Sequence, residues 1–223
     1  MTRHLAASRA PVYAIELDSR LAERLNALVA EFPNVIVVSR DILATDLSSI
    51  AAGRRIRLYG NLPYYITSPI LHHLFDFARL IDEIHIVIQS EVAFRLAACP
   101  GTRDYGYLSV LTQYFATPRI ALKLPPGAFH PPPKVGSALV SMKLPGESAR
   151  LAIQDPQQFL EFVKLCFSQK RKTLVNNLRS IAEPDTVRVA LLALKIKSAA
   201  RAEELSVAQL AALGQELLAK ESS

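Results

Sequence analysis

VYAIELDSRLAERLNALVAEFPNVIVVS, residues 12–39, carries the pattern that decides the fold. Val12 to Leu17 is a short apolar run expected to form a buried strand, with Glu16 at its end and Asp18 just beyond. Leu21, Leu25, Leu28 and Val29 then recur at helical spacing, and Phe32-Pro33-Asn34 stops that helix. Val35 to Ser39 is a second strand, leading to Asp41. The alternation continues with a strand over Arg55 to Tyr59 running into Gly60-Asn61-Leu62-Pro63, a helix from Ser68 to Arg79 and a strand over Ile84 to Ile88. Strands alternating with helices at this spacing imply an α/β fold, a mostly parallel sheet covered by helices on both faces. Arg119 to Leu122 and Ala138 to Leu144 are expected to close it as an antiparallel pair around Pro131-Pro132-Pro133.

Beyond Pro145-Gly146 the pattern turns helical. Phe159, Phe162, Val163, Cys166 and Phe167 make one apolar face. Val187, Leu191, Leu192 and Leu194 make a second, and Leu210, Leu213, Leu217 and Leu218 a third. Residues 1–150 are therefore expected to form an α/β domain and residues 151–223 a small helical one that depends on docking against it. Half of the 223 residues are hydrophobic and 21% charged, which excludes wholesale disorder. No apolar run reaches the ~18–20 residues that span a bilayer, and no signal peptide opens the chain, so a cytoplasmic protein without membrane contact is expected. Two cysteines and five scattered histidines make neither a disulfide framework nor a metal site, and no sign of an oligomer is present, so a monomer is expected. The net charge of +6 is compatible with a polyanionic partner but does not demand one. The excess is spread along the chain, and only Lys170-Arg171-Lys172 is a local cluster.

In doubly wound folds ligands bind beyond the carboxyl ends of the parallel strands, where Glu16, Asp41 and Asn61 fall. An acid after the second strand of such a unit suits ribose hydroxyls, and the next one suits an adenine amino group. Equally, Glu16, Asp18 and Asp41 suit ordinary helix starts, because short acids satisfy free N–H groups. The most specific segment is residues 61–70, NLPYYITSPI. It places an amide, a rigid proline and an aromatic ring directly after a strand, the combination required to methylate the exocyclic amine of adenine. That nitrogen's lone pair is delocalised into the ring. Acceptors aimed at its hydrogens localise the pair and stabilise the cation formed on methylation. The Asn61 side-chain oxygen and a backbone carbonyl near Leu62 can supply them, and Tyr64 can stack on the extracted base. A bare Asn-x-Pro-Tyr also fits a turn whose tyrosine is half-buried for packing; the ten-residue string favours the site.

The chain resembles the ribosomal RNA adenine N6,N6-dimethyltransferases, specifically the bacterial small-subunit enzymes. Besides residues 61–70, the resemblance is carried by QSEVA at 89–93, by Gly101 and Tyr105 to Val110, by FHPPPKV at 129–135, and by Gln169 to Leu174 with Asn176-Asn177-Leu178. It implies a Rossmann-like class I methyltransferase sheet, S-adenosylmethionine as methyl donor without a metal, and two adjacent adenosines in the 3′-terminal hairpin of 16S rRNA, within the immature small subunit, as substrate. By resemblance Glu16 binds the donor's ribose and Asp41 its adenine amino group. Asn61, Leu62 and Tyr64 form the target-amine site, with Asn61 also near the donor, and Phe129 closes on the opposite face of the base. Lys134 and Lys170-Arg171-Lys172 are expected to contact phosphate. On charge alone the triplet suits a solvated helix face, and Phe129 suits a core position at a strand end. No general base is required, since the methylated amine loses its proton readily to water.

Two rivals stay open: a large-subunit rRNA adenine methyltransferase of the antibiotic-resistance type, and a non-catalytic RNA-binding or assembly factor with a lost donor site. The wording of residues 61–70 and 170–178 argues against the first. The second draws support from a departure: the family's first strand and glycine-rich turn are missing, no glycine precedes Gly53, and residues 1–8 look like the helix after that turn. The chain is therefore expected to be truncated at its start, to leave its strands short of pairing partners, and to be poorly stable or rearranged with weakened donor affinity.

Overall fold

A computed structural model of the chain describes residues 1–151 and 153–218; Ala152 and the end of the expected helical segment, 219–223, lie outside the described residues. The order of elements is α1 (Thr2–Ala6), β1 (Val12–Glu16), α2 (Ser19–Leu28), β2 (Val35–Ser39), α3 (Leu47–Ala51), β3 (Ile56–Asn61), α4 (Thr67–Asp76) and β4 (Ile81–Gln89). It continues with α5 (Ser90–Leu96), α6 (Tyr107–Phe115), β5 (Thr117–Leu124), β6 (Ser137–Lys143), α7 (Ser148–Leu151), α8 (Pro156–Cys166), α9 (Leu174–Asn177), α10 (Pro184–Ala193) and α11 (Val207–Leu218). Two compact units result, one of Met1–Arg55 with Pro69–Leu80, the other of Ile56–Ser68 with Ile81 onward.

In the first unit β1 and β2 pair in parallel, from Val12 opposite Val35 to Glu16 opposite Ser39. Asp18 starts α2 by accepting from the Arg20 and Leu21 amides, which have no partner inside the helix. The Asn34 side-chain amide donates to the carbonyls of Ala6 (2.9 Å) and Ala10 (2.8 Å), fixing the approach to β1 beside that to β2. The buried stripe of α2 differs from the expected one. Ala22 is buried and so is Val29 at the helix end, whereas Leu21 and Leu28 are 48% and 61% exposed. At 100° per residue, Ala22 and Val29 lie at nearly the same angle, and Leu21 and Leu28 share another, one position round from it.

The second unit holds a four-stranded sheet of order β3-β4-β6-β5. β3 and β4 are parallel, and the expected antiparallel closure is present: Ile86 and Ile120 both face Val140 of the central β6. Strand alternation sends Ile84, Ile86 and Ile88 of β4, with Ala138, Val140 and Met142 opposite them, into the core, each at 1% exposure or less. The other face carries polar groups: Tyr59 stacks on His85 directly across the strand pair (4.9 Å between ring centres), and His85 Nε2 lies 3.0 Å from a Glu83 carboxylate oxygen. Parallel pairing thus occurs in two sheets, and among the described residues β1 and β3 each have one neighbouring strand.

From Ser148 onward every regular element among the described residues is helical. The α8 face forms as expected, with Phe159, Phe162, Val163 and Cys166 buried; desolvation pushes the Cys166 thiol well above its usual range, so it stays a neutral apolar group. α11 approaches α8 closely: a β-carbon at Gly214 would lie 3.1 Å from the Phe162 ring. On α10, Val187 and Leu191 are buried but Leu192 is 76% exposed, since it lies one 100° step past Leu191.

Candidate functional site

Asn61 is the last residue of β3, opposite Val87 of β4, and the Leu62 amide extends that pairing by donating to the Val87 carbonyl at 3.0 Å. Pro63 then fixes the backbone, and Tyr64–Ile66 forms a 3₁₀ turn that leads into α4. The buried Thr67 hydroxyl donates back to the Pro63 carbonyl at 3.2 Å, closing this turn on itself. The Tyr64 ring is half-buried, and its hydroxyl lies 2.7 Å from that of Ser137, the first residue of β6. Phe129 ends a second 3₁₀ turn, Pro126–Ala128, and its amide donates to the Pro126 carbonyl at 3.2 Å.

These pieces meet. Asn61, Leu62, Pro63, Tyr64 and Phe129, with Pro131 and Pro133, line one open cavity of about 340 Å³. Ligand sites usually measure ~300–1,000 Å³, and this one lies at the small end of that range. An exposed amide, two aromatic rings and three prolines with fixed φ make a wall that is both polar at one point and stiff. A larger cavity of about 400 Å³ in the first unit, lined by Ala6, Ala7, Arg9, Phe32, Pro33 and Asn34, is mostly apolar and carries no convergent set of polar groups.

Glu16 and Asp41 stand at the same end of the β1–β2 pair: Glu16 faces Ser39, and Asp41 follows two residues later. Both are half-buried, and both serve helix starts as their residue type allows. A Glu16 oxygen accepts from the Asp18 amide at 3.0 Å and Asp41 Oδ1 from the Leu43 amide at 2.9 Å. Each carboxylate retains a second oxygen with no hydrogen bond among the described residues, so capping and acceptance of a ligand hydroxyl or amino group are compatible. Two carboxylate acceptors of this kind are chemically compatible with ribose hydroxyls and an adenine amino group.

Lys134 is exposed in the proline-rich loop. Lys170, Arg171 and Lys172 are exposed as well, but they occupy the turn between α8 and α9 rather than a helix face. The Asn177 amide shapes that turn by donating to the carbonyl of Cys166 (2.6 Å), at the end of α8, and to that of Gln169 (3.2 Å), which also accepts from the Lys172 amide at 3.0 Å. Lys170 is partly committed: its ammonium donates to the Arg103 carbonyl at 2.6 Å and lies 3.9 Å from Glu203. Arg171 and Lys172 make no ion pair among the described residues. Also among the described residues, no three His, Cys, Asp or Glu side chains are gathered as for a metal ion, and no helix is long and apolar enough to cross a membrane.

Sequence reasoning reads Pro131 and Pro133 as a turn between the closing strands and as part of the string 129–135, not as walls of a cavity. It does not single out Ser137, because nothing marks a serine that opens a strand.

The profile of the ribosomal RNA adenine dimethylases matches residues 1–218. The chain belongs to that family. It is 45% identical over 216 residues to the ribosomal RNA small subunit methyltransferase A of Acidobacterium capsulatum, spanning 96% of this chain and 76% of the relative. Identity to the same-named protein of Koribacter versatilis is 40% over 230 residues, 97% of this chain and 80% of the relative. Among solved structures, the 23S rRNA methyltransferase ErmE superposes with TM-score 0.70 at 26% identity, covering 97% of this chain and 85% of that one. A dimethyladenosine transferase from Plasmodium falciparum gives TM-score 0.74 over 95% and 82% of the two chains; at 23% identity it speaks for the fold alone. This rRNA adenine dimethylase therefore has the mixed α/β methyltransferase architecture, with S-adenosylmethionine as the family's donor.

Proposed function

We propose that the chain dimethylates N6 of two adjacent adenosines in the 3′-terminal hairpin of 16S rRNA, acting as a cytoplasmic monomer on the immature small ribosomal subunit without a metal. Residues 1–150 serve as the methyltransferase domain and 151–223 as the helical RNA-binding domain. The observation that carries this is the shared cavity of Asn61, Leu62, Tyr64 and Phe129. Identity of 45% to a small-subunit enzyme, against 26% to ErmE, favours 16S over 23S rRNA.

The target base, turned out of its helix, lies between Tyr64 and Phe129. Each ring replaces part of the stacking lost on extraction, ~1–3 kcal/mol per base. Asn61 Oδ1 and a carbonyl near Leu62 accept the two amine hydrogens, drawing the lone pair out of conjugation and stabilising the positive charge that grows on nitrogen. S-adenosylmethionine supplies an electrophilic methyl group when bound. Glu16 and Asp41 hold its ribose and adenine amino groups. After one transfer a single N–H remains, which one acceptor can still grip for the second.

Replacing Tyr64 or Phe129 by alanine should weaken capture of the base, lowering kcat/KM about 5- to 150-fold, the equivalent of ~1–3 kcal/mol of stacking; fluorescence of 2-aminopurine at the target position reports capture directly. Lys134, Lys170, Arg171 and Lys172 contribute phosphate contacts. Each contact contributes ~0.7–0.9 to the slope of log K against log salt, so the double change Arg171→Ala, Lys172→Ala should flatten it by about 1.5. Lys170→Ala should change it less, because that ammonium is already engaged by Arg103. An unchanged slope in the double variant would remove this turn from the RNA interface.

The decisive experiment incubates the chain with donor and immature subunits and then extends a primer across the 16S hairpin. A stop at the adjacent adenosines supports the proposal. Co-sedimentation with the subunits and no stop would favour an assembly factor, and a stop only in a parallel reaction on 23S rRNA would favour the resistance-type enzyme.

A further inference from the structure

We propose that Ser137 is a positioning residue that sets the Tyr64 ring at the angle the target base must match. This role rests on the proposed base pocket. Tyr64 sits in a 3₁₀ turn, held locally by little more than the Ile66 amide to the Pro63 carbonyl at 3.3 Å and the Thr67 hydroxyl to the same carbonyl at 3.2 Å. Neither bond restrains the ring, which keeps two torsions of its own. The only hydrogen bond at its far end among the described residues is to Ser137, at 2.7 Å.

Ser137 is held on both sides by the sheet. It is fully buried, it opens the central strand β6, and it is paired on one side with Gln89 of β4 and on the other with Leu124 of β5. The residue before it is locked too: the Gly136 carbonyl accepts from the Ser90 amide at 2.9 Å, and a β-carbon at Gly136 would lie 3.3 Å from the Ser90 hydroxyl. The hydroxyl pair therefore transfers the rigidity of the sheet to one wall of the cavity. A first contact held by a locked second residue is what pre-organised sites require. Stacking tolerates small tilts, but the amine must reach its acceptors at Asn61 in one plane. Losing the tether should cost rate more than affinity.

The test is a double-mutant cycle of Ser137→Ala and Tyr64→Phe, assayed for methyl transfer to 16S rRNA and for fluorescence of 2-aminopurine at the target position. Each single change should lower kcat about 5- to 20-fold with KM within about twofold, and the double variant should be no worse than either, since all three lack the same bond. Both singles should change the probe's fluorescence in the same sense. Losses that multiply in the double variant, a wild-type kcat for Ser137→Ala, or an effect confined to KM or melting temperature would overturn the assignment. If Ser137→Ala does not fold, Tyr64→Phe removes the bond from the half-buried side, and a wild-type kcat there overturns the assignment equally. Tyr64→Ala separates the two levels: if it keeps full activity the base pocket itself is wrong, whereas an inactive Tyr64→Ala with a fully active Ser137→Ala rejects the positioning role alone.

Discussion

Replacing Asn61 with alanine is expected to slow methyl transfer by about 10²–10³-fold, the usual cost of deleting one pre-aimed group that meets charge developing in the transition state. The loss should fall on kcat. Asn61 stands exposed at the end of β3, and its side-chain amide makes no hydrogen bond among the described residues, so its removal leaves no buried polar group stranded. The melting temperature should stay where it is. Tyr64 and Phe129 remain to hold the base, so RNA affinity should also be little changed. Single-turnover methylation of the 16S hairpin, alongside a binding isotherm, separates these quantities. Full-rate turnover by the alanine variant would leave the amine without its acceptor and end the proposed chemistry.

Gly146→Ala is expected to have the largest effect on stability, about 3 kcal/mol, at the upper end of what overpacking usually costs. A β-carbon there would lie 2.5 Å from both the Ala116 amide nitrogen and the Gln113 carbonyl oxygen, and 2.8 Å from the Ala116 carbonyl oxygen. All three are backbone atoms, so no side chain can swing aside. The segment is clasped to the end of α6, with the Gly146 amide donating to Phe115 at 2.8 Å and the Glu147 amide to Gln113 at 3.0 Å. For a chain of this size each kcal/mol shifts the melting temperature ~2–4 °C, so a fall of roughly 6–12 °C should appear in thermal unfolding, with a loss of about 3 kcal/mol in urea unfolding. The methyl-transfer rate per folded molecule should not move. A fall of only a degree or two would show that the loop can slide away from α6.

Much of the site was legible because its chemistry is local. Asn61, Leu62 and Tyr64 lie within four consecutive residues, and a strand end followed by proline leaves the chain few conformations. Phe129 was legible only through resemblance to a family. Its meeting with Asn61 depends on the register of β4 and β6, which bring the turn before β6 to the end of β3. Ser137 was not legible at all, since its partner is chosen by that same register. The basic triplet was legible as charge but not as structure: a turn, shaped by the Asn177 amide, stands where charge alone suited a helix face.

The order of strands and helices, the antiparallel closure and the family itself follow from the sequence alone, because hydrophobic period and turn residues act over a few neighbours at a time. Which leucines are buried, as with Leu192 beside Leu191, and which side chains wall the cavity were decided only by tertiary packing. Burial and long-range pairing are properties of what lies opposite a residue, and no short window of sequence contains that partner.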